Sequence, residues 1–319
     1  MAKRALLVGI DDYHNVAPLA GCAADARAMA AILKKNDNDS PNFDCRLLTC
    51  SAGEPITRAV LRRSWSELFR DFDGDVLFYF SGHGYPTELG GYLVTQEGTP
   101  DDPGLAMNDV VHLANLSRAR SVLIILDCCH SGAVGNYADL QSSNQSPLKE
   151  GVTILAASRP GQAAFELDGH GVFTRLLLGA LRGGAADVRG RVSAASIYAY
   201  AEAALGGLDQ RPMYKSHAAR LEPVRICEAK VEDALLRELL VFFPEPDAEY
   251  RLDETYEETN SAAKPEHVAV FRKFKILQIA GLLKPKEGFD LFWTAERSGF
   301  VQLTTLGIFY RQLASAGRL

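Results

Sequence analysis

Short apolar runs alternate with helical stretches over the first two thirds of the chain, and this alternation constrains the fold more than any other feature. The runs at 4–10, 75–80 and 121–127 have the length and apolar character of buried parallel strands. Segments 22–35 and 56–70 lie between the first two runs and carry apolar residues at helical spacing. The pattern continues with strands predicted at 43–49 and 152–158 and helices at 171–182 and 193–205. This βαβ order is typical of an α/β fold, a mostly parallel sheet covered by helices on both faces.

The composition changes near residue 228, and this change predicts the domain organisation. We expect one domain over 1–227. Residues 228–263 carry 11 acidic and 3 basic side chains, and we interpret them as an acidic linker or solvated cover. Residues 264–319 carry 9 basic and 4 acidic side chains. They predict amphipathic helices at 267–283 and 301–319 that flank a short ribbon at 286–300, a small α-rich and winged-helix-like module.

Composition and charge exclude several classes of protein. The 319 residues are 47% hydrophobic and 23% charged, as in ordinary globular proteins, and no apolar run reaches the roughly 18 residues of a membrane span. We therefore expect a cytoplasmic protein with no membrane partner. The formal charge of -6 argues against a general nucleic-acid binder. The six cysteines form no CxxC pair, which favours reduced thiols and leaves room for a reactive one.

Two chemically unusual motifs follow predicted strands. The sequence SGHG places His83 after the strand at 75–80, and DCCHSG places Cys129 after the strand at 121–127. Because active sites form at the carboxyl ends of parallel strands, we expect these residues at one edge of the sheet. A thiol becomes a good nucleophile at neutral pH when an adjacent imidazole favours its thiolate. An isolated buried cysteine or histidine is more often structural, but the two motifs together favour a functional thiol–imidazole pair.

The motifs SGHG and DCCHSG resemble those of the caspase/metacaspase superfamily of cysteine endopeptidases, and the second resembles the bacterial metacaspase-like (orthocaspase) branch in particular. The resemblance covers about residues 4–226 and implies a caspase-like fold. It implies that Cys129 is the nucleophile, that His83 is its base, and that the N–H groups of Gly84 and Cys129 bind the oxyanion. Cys128 and His130 are the weaker alternatives for nucleophile and base, since adjacent residues do not face each other.

The resemblance also implies specificity for arginine or lysine before the scissile bond. The segment LAGCAADA matches the metacaspase segment whose aspartate lines the specificity pocket, which gives Asp25, and DCCHSG gives Asp127. Two buried carboxylates need a cation or hydrogen-bond donors, so an acidic pocket beside a nucleophile favours a guanidinium guest. The alternative for Asp25 is a charge that caps a helix N-terminus.

Calcium is a further expectation from the resemblance, because relatives bind it through aspartates on the loop after the histidine strand. The segment TPDDPG supplies Asp101 and Asp102 here, without a recognisable calcium loop. An ordinary acidic turn explains them equally well. No other cofactor is expected.

Self-processing is expected where relatives are cut between their large and small parts. The polar loop 135–150 contains Lys149, and cleavage after this lysine would fit an acidic pocket. The alternative is a lysine that only contributes to solubility.

Two functions from different classes remain open. The first is a cytoplasmic Arg/Lys-directed cysteine endopeptidase activated by a ligand, a partner or self-cleavage, and the resemblance implies a stress, cell-death or antiviral defence setting. The second is a signalling scaffold in which 264–319 bind a regulatory protein partner or nucleic acid. Aromatic residues of this segment are interpreted mainly as core: Phe271, Phe274, Phe292, Trp293, Phe309 and Tyr310.

Overall fold

The computed structural model resolves the chain into two compact units. The residues it describes are 2–50, 55–87, 90–128, 148–157, 166–167, 170–206, 212–218, 222–288 and 290–319. The first unit comprises Met1–Ala186 and Arg191–Cys227, and the second comprises Asp187–Gly190 and Glu228–Leu319.

Strands and helices alternate along the first unit. Its strands are β1 (Lys3–Gly9), β2 (Asp44–Thr49), β3 (Asp75–Ser81), β4 (Gly84–Thr87), β5 (Gly90–Val94), β6 (Gly104–Ala106), β7 (Ser121–Asp127), β8 (Val152–Ala156), β9 (Glu166–Leu167), β10 (His170–Gly171), β11 (Arg191–Val192), β12 (Met213–His217) and β13 (Arg225–Ile226). Its helices are α1 (Cys22–Leu33), α2 (Arg58–Phe69), α3 (Met107–Leu116), α4 (Val172–Gly179) and α5 (Ala194–Leu205), with a π-helical turn at Ala180–Gly184.

A six-stranded sheet forms the centre of the first unit. Its spatial order is β12-β8-β7-β3-β1-β2, in which β12 is antiparallel to β8 and the other neighbours are parallel. The expected mostly parallel α/β sheet is therefore confirmed. The β3–β7 register, in which Ser81 lies opposite Asp127, ends both strands at the same level.

Hydrophobic cores cover both faces of this sheet. Alternate side chains of β1 and β3 point to opposite faces, so that Leu6 and Phe78 join one core while Leu7 and Tyr79 join the other. Helices α2 and α3 contribute to the first core, and α1, α4 and α5 contribute to the second. The predicted helical layers on both sides of the sheet are present.

Residues 84–116 fold in a way that the sequence patterns did not predict. Strands β4, β5 and β6 pair antiparallel in a small separate sheet, and α3 follows at once. These strands are only three to five residues long and are rich in glycine, so they give no clear period-two pattern. Their pairing begins directly after His83 and holds the chain at this edge.

The second unit has its own core of helices and a small sheet. Its elements are α6 (Asp233–Phe242), β14 (Glu249–Arg251), α7 (Pro265–Ile279), β15 (Leu283–Pro285), α8 (Leu291–Glu296), β16 (Phe300–Leu303) and α9 (Thr305–Ser315), with a 3-10 turn at Glu254–Tyr256. The three strands pair antiparallel in the order β14-β16-β15. The predicted α-rich C-terminal module is present.

The acidic segment 228–263 differs from the expected linker or cover. It supplies α6 and β14, and Leu236, Leu239 and Phe243 are buried in the same core as Phe274. Ion pairs join it to the basic segment: Lys273 to Glu238, Lys286 to Glu249 and Arg272 to Glu258. The acidic and basic segments therefore fold together, because their apolar residues share one core and their opposite charges pair.

The predicted order of helix, ribbon and helix differs from the structure at two places. The expected ribbon contains α8, because the Asp290 side chain accepts a hydrogen bond from the Trp293 N–H and starts a helix there. The last predicted helix begins only after Thr304, whose side chain accepts from the Gly307 N–H. The residues before this cap form β16 instead.

Across the part of the chain that the structure describes, no helix has the length and apolar character required to cross a membrane.

Arg225 links the C-terminal end of the first unit to the end of α1 through hydrogen bonds and an ion pair. Its buried guanidinium donates hydrogen bonds to the carbonyls of Ile32, Lys35 and Leu181 and pairs with Asp37. Replacing it leaves these carbonyls and Asp37 without that donor.

We expect Arg225→Met to lower the free energy of unfolding by roughly 2–4 kcal/mol. The control is Arg46→Met, since the Arg46–Glu67 pair is solvent-exposed and is expected to contribute less than about 1 kcal/mol. Urea denaturation of the three proteins measures both effects. Equal losses in the two variants would contradict this account of Arg225.

Candidate active site

The ends of β3 and β7 bring the two motifs to one edge of the sheet. Ser81 and Asp127 are register partners, and His83 and Cys129 each follow two residues later. The Gly82 N–H lies 3.4 Å from the carbonyl oxygen of Asp127, so the strands stay adjacent one residue beyond the register pair. Cys129 and His130 lie outside the described residues. The structure thus places His83 at the edge where the chain leads into Cys129.

A backbone carbonyl orients the His83 imidazole. Its Nε2 lies 2.8 Å from the carbonyl oxygen of Ala17. Because a carbonyl only accepts hydrogen bonds, Nε2 carries the proton, and Nδ1 of the neutral ring is the acceptor. The same carbonyl stabilises the ring when Nδ1 also becomes protonated. His83 is therefore prepared to act as a base through Nδ1.

Tyr13 holds the backbone of His83. Its hydroxyl oxygen accepts a hydrogen bond from the His83 N–H at 2.8 Å, and the two rings lie 4.9 Å apart between centroids. The hydroxyl also fills the space beside Gly82, where a Cβ would lie 2.6 Å from it. Burial raises the pKa of Tyr13 far above its ordinary value, so the phenol stays neutral. The glycine before His83 is thus required by the close approach of Tyr13.

The loop that carries Tyr13 and Ala17 is closed by Asp11. The carboxylate of Asp11 accepts from the N–H groups of Cys22 at 2.7 Å and Ala23 at 3.2 Å, the first residues of α1. The N-cap residue is Gly21, which has no side chain for this role. Sequence reasoning missed Asp11, Tyr13 and Ala17, and the only local signal for them was an aspartate placed shortly before a helix.

Cys128 lies in the interior of the first unit. Its side chain is 2% exposed and packs in the hydrophobic core beneath α2 and α3. A nucleophile must reach substrate, so this burial disfavours the alternative in which Cys128 attacks.

Asp25 and Asp127 are both buried and both contact the first turn of α4. The Asp25 carboxylate accepts from the Gly171 N–H at 3.1 Å. The Asp127 carboxylate accepts from the Thr174 hydroxyl at 2.5 Å and from the Thr174 N–H at 3.3 Å. Both acids therefore have helix-capping contacts, the role weighed as the alternative for Asp25, and they lie on the elements expected for an acidic pocket.

The backbone of Gly84 is oriented by the small sheet. The His83 carbonyl accepts from the Val94 N–H at 3.0 Å. Since successive residues of an antiparallel strand point their backbone groups to opposite sides, the Gly84 N–H points away from β5. The role of this N–H as a donor to an oxyanion stays a prediction.

Asp101 and Asp102 lie in an exposed turn. Asp102 pairs with Arg58 at 2.5 Å, and its N–H donates to the Thr99 hydroxyl. Among the residues that the structure describes, no group of three or more Asp, Glu, His and Cys side chains could hold a metal ion. The calcium site stays a prediction, and binding there would compete with Arg58.

Lys149 lies near the amino end of β8, at the opposite edge of the sheet from His83. Its N–H donates to the Asn115 side chain at 2.9 Å, and its ammonium donates to the Ser117 carbonyl at 2.5 Å. The neighbouring Leu148 is buried. Cleavage after Lys149 stays a prediction, and it requires these contacts to open first.

We predict that Gly82→Ala disturbs the His83 segment through Tyr13. The added methyl group meets the Tyr13 hydroxyl oxygen, and overpacking of this kind costs about 1–3 kcal/mol of unfolding free energy. Combining it with Tyr13→Phe removes the colliding atom, so the two changes together should cost less than the sum of the single changes. Urea denaturation of the four proteins measures this coupling. Additive costs would contradict the contact.

Known proteins resemble this chain in sequence. A family model described as the caspase domain matches residues 2–222. Metacaspase-2 of Trypanosoma brucei brucei is 32% identical over 151 residues, which cover 41% of this chain and 42% of that protein. Metacaspase-6 of Arabidopsis thaliana is 30% identical over 162 residues, which cover 47% of this chain and 44% of that protein. The chain thus matches less than half the length of these curated relatives.

A solved structure shows the same fold. The crystal structure of protein GSU0716 from Geobacter sulfurreducens aligns with a TM-score of 0.53 and 18% identity, over 72% of this chain and all of that one. The family match spans both motif-bearing strands and the sheet edge where His83 is oriented. On this evidence, the chain belongs to the caspase domain family.

Proposed function

We propose that this protein is a cysteine endopeptidase that cleaves proteins after arginine or lysine with a Cys129–His83 dyad. The observation that carries the proposal is the orientation of His83. Its Nε2–H is held by the Ala17 carbonyl, and its strand is in register with the strand that leads into Cys129. The family membership supports the same chemistry. Membership in the bacterial metacaspase-like (orthocaspase) branch of the superfamily stays a prediction.

The residues carry out acyl transfer as follows. His83 Nδ1 takes the proton from Cys129 Sγ, and the thiolate attacks the scissile carbonyl carbon. The oxyanion that forms accepts from the N–H groups of Gly84 and Cys129. The imidazolium, stabilised by Ala17, then gives its proton to the leaving amine. Water, deprotonated by His83, hydrolyses the thioester and restores the thiol.

Asp25 and Asp127 supply the proposed specificity for a cationic side chain. The contacts described above hold the two carboxylates through hydroxyl and N–H donors. Carboxylates of this kind bind a guanidinium or ammonium group of a substrate side chain. Asp127 also lies two residues before Cys129 in the sequence, so we expect its carboxylate to lie close to the bond to be cleaved.

Control of the activity is proposed for the second unit. Phe271, Phe274 and Tyr310 are core residues, as expected, but Phe292, Trp293 and Phe309 are 39–53% exposed. Exposed aromatic side chains are common in protein interfaces, which supports recruitment of a regulatory protein partner. Self-cleavage after Lys149, calcium binding and a cytoplasmic setting are further parts of this proposal.

The test of the chemistry combines peptide cleavage with thiol labelling. Fluorogenic peptides ending in Arg, Lys, Asp or Asn are offered to the full chain, with and without calcium. We expect cleavage after Arg and Lys only, and a loss of about a thousandfold or more in Cys129→Ala. Cys128→Ala is the matched control and should keep most activity. Cleavage after Asp or Asn would contradict the acidic pocket, and an active Cys129→Ala would contradict the nucleophile.

Alkylation by iodoacetamide tests the Cys129–His83 dyad and needs neither a peptide substrate nor an activator. We expect Cys129 to be labelled faster than the other thiols at neutral pH, and His83→Ala to remove this difference. Equal labelling in the wild type and His83→Ala would argue against the dyad.

The scaffold function in its nucleic-acid form has less support from the structure. The second unit contains sixteen acidic and thirteen basic side chains, a formal charge of -3. Several of its basic side chains already pair with acidic ones. We therefore expect the full chain to show no salt-dependent binding to duplex or single-stranded DNA at low salt, measured by fluorescence anisotropy. Tight binding that weakens steeply with salt would restore that function.

A further inference from the structure

A buried chain of hydrogen bonds joins three elements behind the proposed specificity pocket. The Tyr79 hydroxyl on β3 lies 2.6 Å from the Thr174 hydroxyl on α4, which lies 2.5 Å from the Asp127 carboxylate on β7. Tyr79 and Thr174 are both 0% exposed. Sequence reasoning assigned neither residue a role.

The direction of these hydrogen bonds follows from their chemistry. Burial raises the pKa of Tyr79 well above its ordinary value, and the nearby charges of Asp127 and Asp25 raise it further. Tyr79 therefore keeps its proton. Since an ionised carboxylate only accepts, Thr174 donates to Asp127, and its oxygen accepts from Tyr79. Thr174 has a single hydroxyl proton, so this arrangement orients its hydroxyl.

The first turn of α4 lies against both carboxylates. Thr174 contacts Asp127 through its hydroxyl and its N–H, while Gly171 contacts Asp25 through its N–H. A Cβ on Gly171 would lie 2.4 Å from the Asp127 carboxylate, which shows how closely the backbone approaches. Two residues of one helix turn, Gly171 and Thr174, thus contact two acids that are 102 positions apart in the sequence.

We propose that Thr174 is a positioning residue that makes the acidic pair selective for arginine over lysine. This inference rests on the proposed protease function and adds a specificity element to it. A guanidinium is planar and binds carboxylates in a fixed fork geometry, whereas an ammonium acts as a compact point charge. Recognition of arginine therefore depends more strongly on the orientation of Asp127 than recognition of lysine does. Thr174 sets that orientation, with Tyr79 behind it.

The test compares Thr174→Val with Thr174→Ser in the full chain. Valine keeps the shape but loses the hydroxyl, and serine keeps the hydroxyl. The substrates are two fluorogenic peptides that differ only in Arg or Lys before the reporter. Loss of a hydrogen bond to a charged group should lower kcat/KM for the Arg peptide about ten- to hundredfold in Thr174→Val, mainly through KM. The Lys peptide should lose less, so that the Arg/Lys ratio falls at least about threefold, and Thr174→Ser should restore the wild-type ratio.

A purely helix-capping role for Thr174 gives a different result. Cleavage of the Arg and Lys peptides would then fall together, and an unchanged Arg/Lys ratio overturns the inference. Alkylation of Cys129 by uncharged iodoacetamide is the second measurement, and it should match the wild type in both variants because the reagent has no cationic group. Slower alkylation in Thr174→Val alone would show general damage to the site and would also overturn the inference.

Two further comparisons distinguish a failure of this inference from a failure to fold and from a failure of the protease proposal. If circular dichroism shows that Thr174→Val does not fold, Tyr79→Phe is tested instead. This variant removes only the Tyr79 hydroxyl, which donates to Thr174, and should lower the Arg/Lys ratio less than is expected for Thr174→Val. An unchanged ratio there overturns the inference. A wild type that cleaves neither peptide and shows no His83-dependent alkylation overturns the protease proposal itself. A wild type that cleaves both peptides, with variants that leave the ratio unchanged, overturns only the role of Thr174.

Discussion

The parallel register between β3 and β7 is the constraint on which the rest of the site depends. Ser81 lies opposite Asp127, so the chain leaves both strands at the same level and places His83 at the edge that leads into Cys129. Neighbouring parallel strands are held about 4.8 Å apart by their hydrogen bonds. If the β3–β7 register shifted by one residue, the side chains of the shifted strand would point to the opposite face of the sheet. The packing of both hydrophobic cores opposes such a shift. The packing of apolar side chains on two faces therefore also determines the geometry of the chemistry.

Carboxylates at helix N-termini organise the surroundings of this edge. Helices α1 and α4 both begin at a glycine that offers no capping side chain, and both receive a carboxylate from elsewhere in the chain. Asp11 caps α1 and closes the loop that carries Tyr13 and Ala17, while Asp127 contacts α4. Hydrogen-bond donors at a helix N-terminus lower the cost of burying an acid. In this way one kind of contact stabilises the fold and holds Asp127 at the proposed pocket.

In the second unit, the acidic and basic stretches of the sequence fold together. An acidic stretch followed by a basic one looked like a linker and a separate tail. In the structure, Lys273 and Lys286 pair with Glu238 and Glu249, and apolar residues of both stretches share one core. Exposed ion pairs of this kind contribute little to stability, so the shared core holds the unit together. The paired charges make the acidic and basic stretches complementary to each other. The exposed aromatic side chains are then the feature of this unit that calls for a function.

The sequence by itself determined the main parallel strands of the first unit and its helices α1, α2, α4 and α5, because apolar periodicity depends on residues that are close along the chain. It also gave His83, Cys129, Asp25 and Asp127 as candidate site residues through two short motifs and one segment. The short strands after His83 were not predictable, since runs of three to five residues give too few repeats to establish a period. Only the tertiary structure decided what surrounds the motif residues. Ala17 and Tyr13 reach His83 across 66 and 70 positions, and Thr174 reaches Asp127 across 47. Such contacts depend on how strands align and how helices dock, and no local pattern encodes them.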